Sequence, residues 1–422
     1  VSSVNTSTIN ADRLLTRIRV LGQIGRDADG ALTRLAASDA DKAARDVLVS
    51  WMTSAGLDVQ IDAIGNIFGC WGWRVDAPAP IMIGSHIDTV VNAGIYDGAY
   101  GVLAALEVVE SLREAEATGR FEPAQPIVIA AFTNEEGVRY TPDMMGSLVH
   151  AGGLLLEQAL AAVAIDAEGA ARGVTLGAEL ARIGYAGTLP IGAIRPRAYL
   201  ELHIEQGPIL EHEGDQIGAV EDLQGISWQR ITIEGEANHA GTTPMAMRRD
   251  AGVAAARVIT FLCEYAKVSQ GTVATVGKLR VEPDAINIIP SLAVLTADIR
   301  DRDNARLLAA EAELAEFLET LSAEDGVRIT TERLVRLDPV TFDAGLVEAI
   351  EAAACELSLR VRRMTSGAGH DAQMMARICP AAMIFVPSVD GISHSPREHT
   401  ADADLIAGAR VLGEVVRRLS AR

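Results

Sequence analysis

The chain has 422 residues, 49% of them hydrophobic and 22% charged, a globular composition too long for one ordinary core, so two domains are expected. Lys and Arg number 37 against 57 Asp and Glu, and the net charge of −20 excludes nucleic acid and anionic membrane as natural partners while leaving room for a small anionic substrate. No apolar run of about 18 residues occurs, and residues 1–20 lack a basic stretch followed by an apolar one, so the expectation is a cytoplasmic protein without membrane span or leader. Cys70, Cys263, Cys355 and Cys379 are scattered without C-x-x-C spacing, which points to reduced thiols and not to a disulfide framework or zinc knuckle.

In chain order, 39–56 has helical spacing and ends in Gly. "APIMIGSHIDTV" (79–90), "PIVIAAFTNEEG" (126–137) and "RAYLELHIEQG" (197–207) are apolar runs that end in polar groups, the pattern of buried strands in an α/β layer architecture. The character changes near Gly214. "GISWQRITIEGEANHA" (225–240) alternates like a strand with one wet face, and the helix "DAGVAAARVITFLCEYAKV" (250–268) follows it. Strands 272–281 and 292–301 and a helix over 303–323 complete a small α+β sandwich inserted into the larger domain. Helix 344–357, strand 381–388 and helix 401–420 return to the first pattern. The expected division is 1–213, 214–331 and 332–422, with 214–331 the insert.

Several strand ends carry chemistry. Of eight histidines, His86, His203 and His394 lie beside acidic or glycine-rich turns, Asp97 sits in "YDGAYGV", and Glu135–Glu136 end "FTNEEG". Packing gains nothing from a buried carboxylate unless a cation or hydrogen-bond network compensates it. Three imidazoles with two or three carboxylates suffice for two divalent ions, which a shared carboxylate holds about 3.5–4 Å apart. Adjacent residues at an extended strand end point in different directions, so one of Glu135 and Glu136 can bind metal while the other takes a proton from water. His150, His212 and His399, Cys70 and the Met pairs 144–145 and 374–375 read as structural, and Arg248 and Arg249 as solvent-facing or paired with Asp250.

The ordered segments "GSHIDTV", "YDGAYGVLAALEV", "FTNEEGVRY", "LELHIEQGPILE", "GEANHAGTTPMAMRRDA", "NIIP", "DIRD", "SGAGHDAQMMA" and "GISHSPREHT" closely resemble the amidase/hydantoinase/carbamoylase branch of the M20 metallopeptidase family. That branch holds N-carbamoyl-L-amino-acid hydrolases, allantoate amidohydrolases and β-ureidopropionases. The resemblance implies an α/β catalytic domain with a central mixed sheet flanked by helices, and a ferredoxin-like insert that serves as dimerisation and lid domain. It implies two divalent ions per subunit (Zn, Mn, Co or Ni), with His86 and His394 as terminal ligands, Asp97 bridging, Glu136 on one ion and His203 on the other. Asp88 is then the carboxylate that fixes the His86 tautomer, and Glu398 does a similar job near His394. Glu135 is the base, His239 the oxyanion stabiliser, Arg300 the clamp for a substrate carboxylate, and Gln206, Asn287 and Gly369 further substrate contacts. It also implies a homodimer in which the insert lends His239 to the partner's site. Hydrolysis of N-carbamoyl-L-amino acids is the main expectation. Allantoate or N-acyl-amino-acid hydrolysis are the alternatives, and a catalytically inert ligand-binding relative is a different class against which Glu135 argues.

Overall fold

The computed structural model describes residues 9–165 and 171–421. Residues 1–8, part of the stretch in which no leader is expected, lie outside them. The chain divides into two compact units, a larger one of residues 1–221 with 342–422 and a smaller one of 222–341. No helix among the described residues is long and apolar enough to cross a membrane.

The larger unit is built on a mixed sheet. At its centre run four parallel strands in the spatial order Ile127–Phe132, Ile81–His86, Ala198–Ile204, Ala381–Val386. Each is buried along its whole length, which is why these segments read as unbroken apolar runs. Ile67–Trp71 continues the sheet antiparallel on one side and Ile217–Leu223 on the other. Helices Ala99–Ala117 and Asp402–Ser420 pack on each other and on the central strands.

Helix Ala99–Ala117 comes down on the strand ends because its start is stripped of side chains. Gly98 has φ 61°, a left-handed conformation that glycine adopts without steric penalty, and a Cβ there would collide with the His86 ring. A Cβ on Gly101 would meet the Leu202 carbonyl. The two glycines of "YDGAYGV" thus seat Asp97 against His86.

The smaller unit is a five-stranded antiparallel sheet carrying helices Ala251–Val268 and Asn304–Asp325. Gly225–Glu234 lies between Leu292–Asp301 and Arg328–Leu337, the ferredoxin-like order. Strand Leu292–Asp301 alternates cleanly, with Ala293, Leu295, Ala297 and Ile299 buried among the helix residues Val258, Leu262, Leu307 and Leu314. Asp250 and Asp303 cap the two helices, each accepting two backbone N–H bonds.

Two expectations need correction. The smaller unit spans 222–341, not 214–331, because Ile217–Leu223 pairs with Ala381–Val386 while Arg328–Leu337 pairs along its length with Gly225–Glu234. The single strand expected over 272–281 is two, Val273–Thr275 and Leu279–Glu282. Thr275 faces Asp298 whereas Leu279 faces Leu295, so one extra residue on this edge breaks the ladder like a bulge.

Gly84 tests the close packing of the parallel strands. A Cβ there would strike the backbone of Ala130, which cannot move aside as a side chain can. Gly84→Ala is expected to lower unfolding free energy by about 2 kcal/mol or more in urea titrations. Gly277→Ala, where a Cβ meets nothing within 4 Å, is expected to change it by less than about 0.5 kcal/mol.

Candidate active site

The C-terminal ends of the parallel strands gather the polar residues, the usual place for a site in an open α/β sheet. His86 closes its strand, His203 lies in Ala198–Ile204, Glu135 and Glu136 follow Phe132, and His394 lies in the loop beyond Ala381–Val386. Asp97 sits just before helix Ala99–Ala117. Asn134, Gln206 and His394 take left-handed backbone conformations at φ 57°, 55° and 52°. Such strain in non-glycine residues concentrates where a site dictates geometry.

Two groups of donors share Asp97. His86, Asp97 and His203 form one, and Asp97, Glu136 and His394 the other, with one ligand atom from each residue within 4.8 Å of the others in its group. Asp97 divides its oxygens between them. Its Oδ1 is 3.6 Å from His86 Nε2 and 3.1 Å from His203 Nε2, and its Oδ2 is 3.1 Å from His394 Nε2. Glu136 Oε2 lies 3.6 Å from His394 Nε2, and Glu135 Oε2 lies 3.4 Å from His86 Nε2.

The tautomers suit metal ligation. His86 Nδ1 lies 3.1 Å from the Asp88 carbonyl and His203 Nδ1 2.9 Å from the Ile204 carbonyl, so each Nδ1 carries the proton it donates. In a neutral ring this leaves the Nε2 lone pair facing Asp97. Imidazole nitrogens and carboxylate oxygens fit a divalent transition ion, which would compensate the buried Asp97 and Glu135 and the half-buried Glu136.

Asp88 does a different job from the one expected. Its backbone carbonyl, not its carboxylate, holds His86, because the carboxylate is 3.8 Å away and turned to the next strand end. There Oδ1 accepts from Glu135 N at 3.2 Å and Oδ2 from Glu136 N at 3.3 Å. Glu398 likewise reaches backbone and not the His394 ring. Its Oε1 accepts from Tyr96 N and Asp97 N at 3.0 and 3.3 Å, and its Oε2 from Ser393 Oγ at 2.8 Å. Both carboxylates therefore fix the segments that carry ligands.

Gln206 turns its amide nitrogen to Asp97 Oδ2 at 3.0 Å, and its Oε1 has no partner among the described residues. Gly369 is close to Met144, whose Cε a Cβ would meet at 3.0 Å. His150 is buried against Phe68 and Phe132, His212 is exposed beside Glu213, and His399 lies 3.4 Å from the Tyr96 hydroxyl.

Three further residues of this floor were not singled out by type or spacing. His370 packs edge-on to His203 with ring centroids 4.5 Å apart. Glu201, fully buried, accepts from Ser85 Oγ at 2.6 Å and Ala372 N at 2.7 Å, tying the His86 and His203 strands to the "GHDA" turn. Asp371 is buried beside it. The signal was present in "SGAGHDAQMMA", where a His-Asp pair among small residues is a poor choice for plain packing.

The electrostatics are those of groups competing for protons. Burial drives Glu135 well above the usual carboxylate range, with Glu136, Asp371 and Asp97 adding to it and His86 opposing. Burial and Asp97 lift Glu136 to about 8. Asp97 sits well below its ordinary value despite burial, because the imidazoles of His203, His394 and His86 around it favour its charged form. The Asp97 hydrogen bond raises His394 to about 9. Burial and the neighbouring His203 keep His370 neutral.

The remaining expected residues belong to the smaller unit. His239 and Asn287 come together on two loops at one end of it, joined by the Ala240 N–Asn287 O bond of 3.0 Å. Gly241 N and Thr242 N donate to His239 Nδ1 at 3.0 and 3.2 Å, so the neutral ring carries its hydrogen on the exposed Nε2. Arg248 braces this loop from the Thr243 and Ala240 carbonyls instead of facing solvent or pairing with Asp250, which caps the following helix. Arg300 holds Asp298 through Nε at 3.0 and 3.2 Å and Nη2 at 2.9 Å.

The chain is 40% identical over 423 residues to the N-carbamoyl-L-amino acid amidohydrolase of Geobacillus stearothermophilus, covering 98% of this chain and 99% of the relative. It is 35% identical over 406 residues to the allantoate amidohydrolase of Bacillus subtilis, covering 96% of each. Among solved structures, an amidase of the hydantoinase/carbamoylase family from Burkholderia multivorans superposes with a TM-score of 0.91 at 40% identity, covering 99% of both chains. The profile of peptidase family M20/M25/M40 matches residues 82–418, a span that holds His86, Asp97, Glu136, His203 and His394 and the whole of the smaller unit, so the chain belongs to that family and is a hydrolase of C–N bonds.

Proposed function

We propose that this protein is a two-metal amidohydrolase that converts N-carbamoyl-L-amino acids to the L-amino acid, carbon dioxide and ammonia. The observation that carries the proposal is the division of Asp97, one oxygen toward His86 and His203 and the other toward His394, with Glu135 alongside. Full-length similarity to an N-carbamoyl-L-amino acid amidohydrolase supports the substrate class, and similarity to an allantoate amidohydrolase makes a diureido acid the second reading.

His86, His203 and Asp97 would hold one ion and Asp97, Glu136 and His394 the other, each Zn, Mn, Co or Ni. Such ions supply Lewis acidity to the ureido oxygen and to water, both of which are otherwise unreactive near neutral pH. Glu135, ionised beside the ions' positive charge despite the burial that otherwise holds its proton, takes a proton from the attacking water and passes it to the departing nitrogen. The Nε2–H of His239 meets the carbonyl oxygen as charge builds on it. Arg300, steadied by Asp298, pairs with the substrate carboxylate, and Gln206, Asn287 and Gly369 complete the contacts.

The protein acts as a homodimer in this reading, the smaller unit serving as dimerisation and lid domain. Met245, Met247 and Ile286 are 72%, 73% and 104% exposed on the two loops that carry His239 and Asn287. Large apolar residues grouped in this way mark a contact surface. A two-fold interface would let each chain lend His239 to the other's site.

Purified protein is expected to release ammonia from N-carbamoyl-L-methionine faster than from allantoate, and to leave N-acetyl-L-methionine slowly cleaved. Dialysis against a chelator should abolish turnover, and Mn, Co, Ni or Zn should restore it with about two ions bound per chain by metal analysis. Faster turnover of allantoate would favour the second reading, and full activity in metal-free protein would overturn the mechanism.

Glu135→Gln is expected to cut kcat by about 10²–10⁴-fold with metal content retained. Glu136→Gln should instead lose ion affinity in calorimetric titration of the apoprotein. The opposite pattern would exchange the two roles.

Mixing Glu135→Ala with His239→Ala chains under conditions of subunit exchange tests the shared site. Random exchange makes half the dimers mixed, each with one site that has both groups, so roughly a quarter of wild-type activity should return. A mixture that exchanges, as mass spectrometry of tagged chains would establish, but stays inactive would place His239 in its own chain's site.

A further inference from the structure

We propose that the helix-free face of the smaller unit's sheet selects the substrate's α-side chain, with Trp228 as its principal wall, so that large apolar side chains are preferred over glycine. The inference rests on the amidohydrolase reading above, in which Arg300 takes the substrate carboxylate.

The face follows from strand alternation. Ala293, Leu295, Ala297 and Ile299 are buried against the helices, so Val294, Thr296, Asp298 and Arg300 point the other way. Ile231 and Ile233 fix the same sense for the neighbouring strand and put Trp228 and Arg230 beside them. Trp228 stands directly opposite Asp298 in the ladder, and side chains so placed have Cβ atoms about 4.5–5.5 Å apart. Arg300 lies over that same Asp298. Arg300 and Trp228 therefore flank the same Asp298 on one face of the sheet.

There is room for a side chain at that point. Trp228, Leu279, Val294 and Leu334 line a cavity of about 590 Å³, within the size range of small-molecule sites. The indole N–H of Trp228 has no partner among the described residues. Of the cations that line it, Arg230 pairs with Glu332 and Arg280 with Glu282, and Lys278 is the one without an ion pair among the described residues. What the cavity adds is apolar area beside a carboxylate anchor, the complement of a methionine- or phenylalanine-like acid.

The experiment compares kcat/KM for N-carbamoyl-L-methionine and N-carbamoylglycine in wild type, Trp228→Ala, Trp228→Phe and Leu334→Ala, with N-carbamoyl-L-glutamate and allantoate measured on wild type. Wild type should favour methionine at least about tenfold, since apolar pocket contacts discriminate on that scale. The ratio should fall toward one in Trp228→Ala through loss of the methionine substrate alone, and stay high in Trp228→Phe. Leu334→Ala should lower it in the same direction, which keeps the test decisive if Trp228→Ala does not fold. A wild-type ratio near one, an equal loss on both substrates, or preference for N-carbamoyl-L-glutamate would overturn the inference while leaving the amidohydrolase reading standing. Turnover of allantoate with none of either carbamoyl acid would instead overturn that reading, and this inference with it.

Discussion

One carboxylate has to face two ways. Asp97 is buried, and each of its oxygens is answered by a different set of imidazoles, so the positions of His86, His203 and His394 are mutually dependent through it. The surroundings serve this arrangement. Gly98 removes the side chain that would push His86 away, Glu398 ties down the backbone of Asp97, and Gln206 steadies Oδ2. A carboxylate left alone in such a place would cost several kcal/mol. Shared between donors that a divalent ion can join, it becomes the joint of the site.

The strand ends were legible because a parallel sheet imposes a simple rule: apolar inside, function where the strand stops. His86, His203, Glu135 and Glu136 break apolar runs at or near such ends, whereas Asp97 and His394 lie in the loops that follow and are singled out with the help of the family resemblance. Glu201 was invisible for the opposite reason. It sits within a strand whose every residue is buried, where alternation carries no information about which neighbour a side chain meets. Asp88 was half legible. Its importance could be read, but which of its atoms reaches His86 is decided by a backbone turn that residue type does not encode. The domain boundary moved by eight and ten residues because the sheet that Ile217–Leu223 and Arg328–Leu337 each join is decided by strand pairing, which residue type does not reveal.

Within the smaller unit the two faces of one sheet do unlike work. The helix face holds a closely packed aliphatic core, while the opposite face carries Trp228, Asp298 and Arg300 in register. Period-two alternation is enough to separate the two faces: a substitution at Ala297 acts on the core, and one at Asp298 on the face that the proposed reading gives to the substrate. The edge strand is the least regular part, and its extra residue lies next to the cavity, where β-bulges are commonly found to re-aim side chains.

The position of Ala381–Val386 has a consequence for how the chain reaches its native state. This strand fills the slot between Ala198–Ile204 and Ile217–Leu223, so a strand from the last part of the chain completes the middle of the sheet. Until it arrives during synthesis, Ala198–Ile204 presents an open parallel edge, and the loop that bears His394 does not yet exist. The five-stranded sheet of the smaller unit draws all its strands from residues 225–337, so its pairing does not wait for that strand. Pairings this distant in sequence are slow to close and leave apolar edges exposed meanwhile. Chain termination before residue 381 would therefore remove more than His394: it would leave the larger unit without the strand that makes its sheet continuous.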